Sequence, residues 1–225
     1  MVFMTVYDFK PKFQGLLRPI CAYLFSIGCT ANVVTSTALI LSIVFGFIAW
    51  FYPVSGVLIL YPLVFLVRMA LNAIDVILAR EYQQQSALGA FLNEISDVVS
   101  DVALYLPFCS VFPTSAPLII TVCFLAVLTE YAGVTSVLVS GARCYAGPFG
   151  KSDRAVFFSV LAIATVVGKM LNVSLPVQFH IGTTLIACVL WFGCLLSVAT
   201  TVNRVRVSLL KAKMVYRKTG SFRLR

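Results

Sequence analysis

Long apolar runs, broken at short intervals by polar punctuation, dominate this 225-residue chain. A helix of about 20 apolar residues crosses the ~30 Å hydrocarbon core of a bilayer. Six stretches of that order follow one another, at 33–52, 56–79, 88–110, 116–139, 155–172 and 178–201. The segments between them are too short for a separate soluble domain. The pattern therefore predicts an all-α integral membrane protein with six transmembrane helices. Ahead of them, Phe9, Phe13, Leu16, Leu17, Ile20 and Leu24 recur at helical spacing, with Asp8, Lys10, Lys12 and Arg18 elsewhere on the wheel. This predicts an N-terminal amphipathic interfacial helix over about 7–27. It reads either as a juxtamembrane anchor or as the border of a lipid entry route. Gly28 breaks it, and Thr30 or Asn32 can cap the first span.

Composition agrees with the pattern. Hydrophobic residues make up 60% of the chain and charged residues 11%, where soluble chains carry roughly 25% charged residues. The net charge of +9 comes from 17 Lys and Arg against 8 Asp and Glu. Fifteen of the 17 cations fall on one side of the predicted map: Lys10, Lys12, Arg18, Arg80, Arg143, Lys151, Arg154 and eight in the tail. Such a bias marks the cytoplasmic face, so both termini are expected there. The same charges interrupt the first 30 residues, which predicts no cleaved signal peptide. Residues 1–203 read as one membrane domain and 204–225 as a polybasic cytoplasmic tail that adsorbs on anionic lipids. No nucleic-acid-binding motif accompanies the charge. The seven cysteines show no Cys-x-x-Cys pair and read as small buried hydrophobes.

Charged side chains inside spans cost about 2.5–3.5 kcal/mol each and mark a site or a buried partner. Asp75, Glu94, Asp97, Asp101 and Glu130 lie within spans, joined by Arg68, Asn72 and Asn93. On the second span, Arg68, Asn72, Asp75 and Ala79 share one stripe; on the third, Gly89, Asn93, Asp97 and Asp101 repeat every four residues. The short connection at 81–87 makes the two helices antiparallel neighbours. Their stripes can face each other in a cavity open to the cytoplasm. Oxygen ligands from two facing helices suit a hard divalent cation completed by substrate phosphates.

The run Asn72-Ala-Ile-Asp75-Val76-Ile-Leu-Ala79-Arg80, eight residues, then Gly89-Ala-Phe-Leu-Asn93-Glu-Ile-Ser-Asp97 resembles the CDP-alcohol phosphatidyltransferase signature. That pattern is D-x-x-D-G-x-x-A-R, eight residues, G-x-x-x-D-x-x-x-D. Thr30-Ala-Asn32-Val-Val-Thr35 is similar to the family's segment entering its first span. Within the family the chain looks nearest to bacterial phosphatidylglycerophosphate-synthase-like proteins. The resemblance implies a membrane phosphotransferase of phospholipid biosynthesis, moving a phosphatidyl group from CDP-diacylglycerol to a small alcohol with release of CMP. It implies Asn72, Asp75, Asn93 and Asp97 as ligands of one or two Mg²⁺ or Mn²⁺ ions, and Asp97 as catalytic base. Val76, Ala79, Arg80 and Gly89 would meet the nucleotide. A homodimer, and the plasma (inner) membrane in a bacterium, are also implied. Three positions depart: Asn72 and Asn93 stand where the family has Asp, and Val76 where it has Gly. Glu94 and Asp101 are possible compensating acids. The departures leave three readings open: a re-tuned enzyme, a catalytically impaired partner or regulator, and a small ion- or proton-coupled transporter using the same acids.

The loop before the fifth span is rich in glycine and cations. Arg143, Lys151, Ser152 and Arg154 are candidates for holding the phosphate of an acceptor such as glycerol 3-phosphate; the alternative is a plain topological anchor. Glu130 calls for a buried partner, as does Arg68; a pair of Arg68 with Glu130 or with Asp101 satisfies that need. His180 reads as an interfacial residue.

Overall fold

The computed structural model describes residues 10–171 and 181–219. All the regular elements among them are helical: α1 (Lys10–Ser26), α2 (Ala31–Phe51), α3 (Ser55–Leu58), α4 (Tyr61–Glu81), α5 (Ala87–Tyr105), α6 (Phe108–Val111), α7 (Ala116–Ser140), α8 (Lys151–Met170) and α9 (Ile181–Thr219), with a 3₁₀ turn at Pro113–Ser115. Two compact units divide the chain. One comprises Met1–Pro113 and Ala155–Ser174, the other Thr114–Arg154 and Leu175–Arg225.

In the first unit α2 is the spine, packing against both α4 and α5, while α1 packs against α4. Its start is set locally. Gly28 adopts φ +79°, the left-handed conformation that ends α1, and Cys29 N–H reaches back to the Leu24 carbonyl at 2.9 Å. The Thr30 hydroxyl then accepts from Val33 N–H at 3.4 Å and caps α2. Farther along, Gly46 lies directly against the Ala103 backbone carbonyl, so that a Cβ there would overlap it. This is where α5 meets α2. The remaining core is aromatic: Tyr105 stacks on Phe158 with ring centroids 4.1 Å apart, and Phe108 bridges Tyr61 and Phe158.

Proline sets several boundaries that apolarity alone misplaces. The expected second span is divided into α3 and α4, with Pro62 in the first turn of α4. The expected third span ends early, at Tyr105, two residues before Pro107, which lacks the amide donor needed to continue the helix. The last helix is longer than expected. It does not stop at residue 201, and residues 204–219, expected as a separate tail, continue it.

A helix, α1, occupies the segment where an interfacial helix is expected, and its apolar stripe is divided. Leu17 and Cys21 are buried with Ile74, Ile77 and Leu78 of α4, whereas Leu16 and Tyr23 are 76% and 65% exposed. An exposed ion pair, Arg18 with Glu81 at 3.1 Å, ties the same two helices together; that hydrogen bond raises the Arg18 pKa.

Among the described residues, four stretches are long and apolar enough to cross a membrane: Ala31–Phe51, Ser55–Glu81, Pro113–Ser140 and Thr184–Met214. Large apolar side chains such as Phe47, Phe124, Trp191 and Leu195 point outward, a surface suited to lipid and a liability in water. The chain is thus a multi-pass membrane protein. The third and fifth expected spans are the helices α5 and α8. They stand apart from the four because α5 carries Glu94, Asp97 and Asp101, and α8 carries Lys151, Asp153, Arg154 and Lys169.

Gly46→Ala should lower the unfolding temperature in detergent, by the equivalent of about 1–3 kcal/mol for an overpacked contact. Gly56→Ala, where a Cβ meets nothing within 4 Å, should leave it unchanged or slightly raised. Equal behaviour of the two variants would contradict the close approach of α2 and α5.

Candidate active site

The first unit assembles most of the motif through hydrogen bonds that cross between helices. Arg68 on α4 is 2% exposed. Its Nη1 lies 2.6 Å from Asp101 Oδ1 and its Nη2 donates to the Asp97 carbonyl oxygen at 2.9 Å. One turn along α4, Asn72 Nδ2 donates to Asp97 Oδ1 at 3.3 Å. Moving up a turn on α4 thus moves the partner down a turn on α5, so the helices run antiparallel, as the short connection predicts. The same register carries Val76 level with Asn93 and Arg80 level with Gly89.

The second motif carboxylate is held from α2. Asp75 is buried, and its Oδ2 accepts from the Thr35 hydroxyl at 2.8 Å. Thr35 belongs to the segment that resembles the family's entry into its first span, yet sequence reasoning assigned it no role. The signal was a hydroxyl one turn inside a capped helix, which is weak by itself. Gly89 approaches the same segment: a Cβ there would lie 2.6 Å from Asn32 Oδ1. The Gln84 side chain adds a further link, accepting from Ala31 N–H at 2.7 Å.

Asn93, Glu94, Asp97, Val76 and Ala79 are half-buried, and Arg80 is exposed at the end of α4. Asp101 lies a turn deeper and is buried against Arg68, one of the two pairings expected for that arginine. Among the described residues, no three of His, Cys, Asp and Glu gather into a metal-binding group. What α4 and α5 offer instead is two carboxylates, Asp75 and Asp97, beside two amides, Asn72 and Asn93. That all-oxygen set fits a hard divalent cation whose shell is completed by phosphate oxygens.

The second unit gathers another polar cluster. Glu130 on α7 is 5% exposed and is met by Arg154 at 2.8 Å, Arg143 at 3.0 Å and Arg204 at 3.4 Å. Three guanidiniums thus converge on one carboxylate. Arg204 also donates to the Thr129 carbonyl at 2.6 Å. Sequence reasoning placed Arg204 in the tail, where nothing distinguished it from the other cations. Glu130 is thereby satisfied within its own unit. His180 lies outside the described residues.

The glycines of the basic loop serve geometry. Gly141, at φ +74°, caps α7, and Gly147, at φ +147°, lies against Thr200 so closely that a Cβ would overlap it. At the start of α8, Gly150 N–H is already taken by Asp153 Oδ2 at 2.9 Å, the return half of a capping box. Lys151 and Ser152 lie in this first turn, half-buried.

An all-helical membrane fold bearing this motif across two antiparallel helices defines a class, and the sequence places the chain in it. Residues 29–199 match the CDP-alcohol phosphatidyltransferase family, to which the chain belongs. It is 46% identical over 164 residues to the inner membrane protein YnbA of Escherichia coli (strain K12), a match covering 73% of this chain and 82% of that protein. Its fold is similar to Mycobacterium tuberculosis phosphatidylinositol phosphate synthase (PgsA1) in a crystal structure with CDP-DAG bound. The TM-score is 0.54 at 21% identity, over 84% of this chain and 92% of that one. A second structure of the same synthase, in complex with manganese and citrate, matches with a TM-score of 0.54 at 20% identity, over 84% and 87%.

Glu130→Ala would leave three guanidiniums without their shared carboxylate. Breaking a buried pair on one side costs about 3–5 kcal/mol, so this variant should unfold at a clearly lower temperature in detergent, with Glu130→Gln intermediate. An unchanged melting curve for Glu130→Ala would show that the cluster is not a stabilising element.

Proposed function

We propose that this protein is a membrane phosphotransferase of phospholipid biosynthesis, which moves a phosphatidyl group from a CDP-linked lipid to a small alcohol and releases CMP. The observation that carries the reading is the pairing of Asn72 with Asp97 across α4 and α5, beside a Thr35-held Asp75. It supports a pocket built from the motif positions of the family to which the chain belongs. The site faces the cytoplasm, with six crossings, α1 lying in the cytoplasmic interface and both termini on that side; the placement of 15 of the 17 cations supports this topology. The membrane is the inner membrane, as in the bacterial relative's name. The end of α9 meets anionic lipid through its cations, and the protein works as a homodimer.

Asp75, Asp97, Asn72 and Asn93 would hold a Mg²⁺ or Mn²⁺ ion, which supplies neutralising charge for the donor's diphosphate. Asp97 takes the proton from the acceptor hydroxyl as the new bond to the lipid-side phosphorus forms and the bond to CMP breaks. Asn72 fixes the plane of the Asp97 carboxylate through Oδ1. Thr35 does the same for Asp75 through Oδ2. Arg80, with Val76, Ala79 and Gly89 beside it, meets the nucleotide. Positioning and electrostatics carry most of the barrier lowering in such transfers. The acceptor carries a phosphate, as glycerol 3-phosphate does. The gathering of Arg143, Arg154 and Arg204 in one cluster supports that choice, with Lys151 and Ser152 beside it in the first turn of α8.

The test is CMP release by the purified protein from CDP-diacylglycerol, with a panel of acceptors and Mg²⁺ or Mn²⁺. Asp97→Asn should reduce release by about 10²–10⁴-fold, the usual contribution of a general base, with the unfolding temperature retained. Wild-type activity in that variant would remove Asp97 from the mechanism. Lys151→Ala should raise the KM for a phosphorylated acceptor by about tenfold with little change in kcat, the behaviour of a uniform binding contact. An unchanged KM would assign Lys151 to topology alone. Absence of CMP release from folded wild-type protein with every acceptor would favour the non-catalytic reading, to which the two amides at motif positions also point.

A further inference from the structure

Helix α9 has two faces of different chemistry. Ser197, Thr200, Arg204 and Ser208 are buried along the stripe that packs on α7. Away from that stripe the helix carries a groove of about 450 Å³. Val202, Val205, Leu209 and Leu210 give it an apolar lining, and Arg206 and Lys213 add two cations. All six side chains are exposed. The cations stand two turns apart, about 10 Å along the axis, and share one face. Long side chains can close that gap on a single anion while their stems lie on the leucines between. The helix itself holds no acid to neutralise them, and no acidic residue follows Asp153 in the chain.

The groove also lies at a particular depth. The apolar stretch Thr184–Met214 has 31 residues, about 46 Å of helix at 1.5 Å per residue. The hydrocarbon core takes up ~30 Å of that. The remaining turns, at the cation-bearing end, reach the headgroup layer. Val202 and Val205 therefore stand at the boundary with the acyl chains, and Arg206 and Lys213 at the level of the phosphates.

We infer that this groove is a discrete site for one anionic phospholipid, whose phosphate Arg206 and Lys213 hold and whose acyl chain lies along Val202 and Val205. Charge complementarity selects the occupant. A second copy of the chain seated on this face about a two-fold axis would set cations against cations, with no acid on either helix to offset them. A zwitterionic lipid brings a cation of its own to the same two side chains. An anionic headgroup satisfies both. One site on one face thus replaces adsorption spread over every cation, and this rests on the reading above that the end of α9 meets anionic lipid. Lys211 distinguishes the two cases. It is exposed on the same helix, yet lies about 160° round from Lys213 and outside the groove.

Full-length protein, delipidated in detergent, is titrated with anionic phosphatidylglycerol or zwitterionic phosphatidylcholine, and the first bound lipid is followed by native mass spectrometry. Phosphatidylglycerol should bind about 10–30-fold more tightly, the worth of two cations near a lipid surface. Arg206→Gln/Lys213→Gln should lose that preference, and Lys211→Gln should keep it. Equal affinity of the wild type for the two lipids would overturn the inference. So would a loss in Lys211→Gln as large as in the double variant, the mark of diffuse adsorption. Dimers that come apart in Val205→Asn, with no preference between the lipids, would put a second copy in the groove instead. Should the double variant fail to fold, Lys213→Gln alone decides: its preference should fall about fivefold, and an unchanged preference contradicts the site. CMP release is measured on the same preparations. Its absence would remove the transferase reading, while a lipid preference confined to Arg206 and Lys213 would still support the site.

Discussion

Within the first unit, much depends on a single guanidinium held away from water. Arg68 reaches from α4 to α5 and meets both a carboxylate and a main-chain oxygen there. In an apolar setting an unpaired arginine is severely penalised, so the helix pair has few registers that satisfy it. The register that does so also brings Asn72 to Asp97. Charge pairing one turn below the motif therefore sets the geometry of the motif itself. Helix α2 completes the arrangement from the other side, through Gly46 at α5 and Thr35 at Asp75.

The second unit solves the reverse problem. There the buried acid is shared among three arginines, drawn from the loop after α7, the first turn of α8 and the middle of α9. The two clusters thus differ in composition: in the first, carboxylates and an amide surround one arginine; in the second, three arginines surround one carboxylate.

Apolar periodicity made the helices legible before any coordinates, and proline and glycine explained where the periodicity misled. Pro62 and Pro107 divide runs that hydrophobicity alone would leave whole. The end of α9 erred in the opposite direction. Its cation density suggested a separate tail, but helix propensity does not stop at a charge, and Arg204, Ser208 and Ala212 form a buried stripe that keeps residues beyond 203 in the packed helix. Of the candidate site, the motif spacing was readable because it follows from 3.6 residues per turn along two helices joined by a short connection. For Asp101 the sequence left two readings, a ligand or the partner of Arg68, because a carboxylate one turn beyond a motif looks the same in either role, and the structure shows the pair with Arg68.

The sequence by itself determined that this chain is helical and membrane-embedded, that its cations and acids are segregated, and which eight-residue separation joins the two halves of its motif. Those properties are local, since burial in lipid and helical periodicity act on neighbours within a few turns. Only the tertiary structure decided which buried polar groups meet: Arg68 with Asp101, Thr35 with Asp75, and Arg204 with Glu130 across 74 positions of chain. Ion pairs and hydrogen bonds depend on distances of a few ångströms between side chains, and those distances are set by helix packing, which sequence separation does not encode.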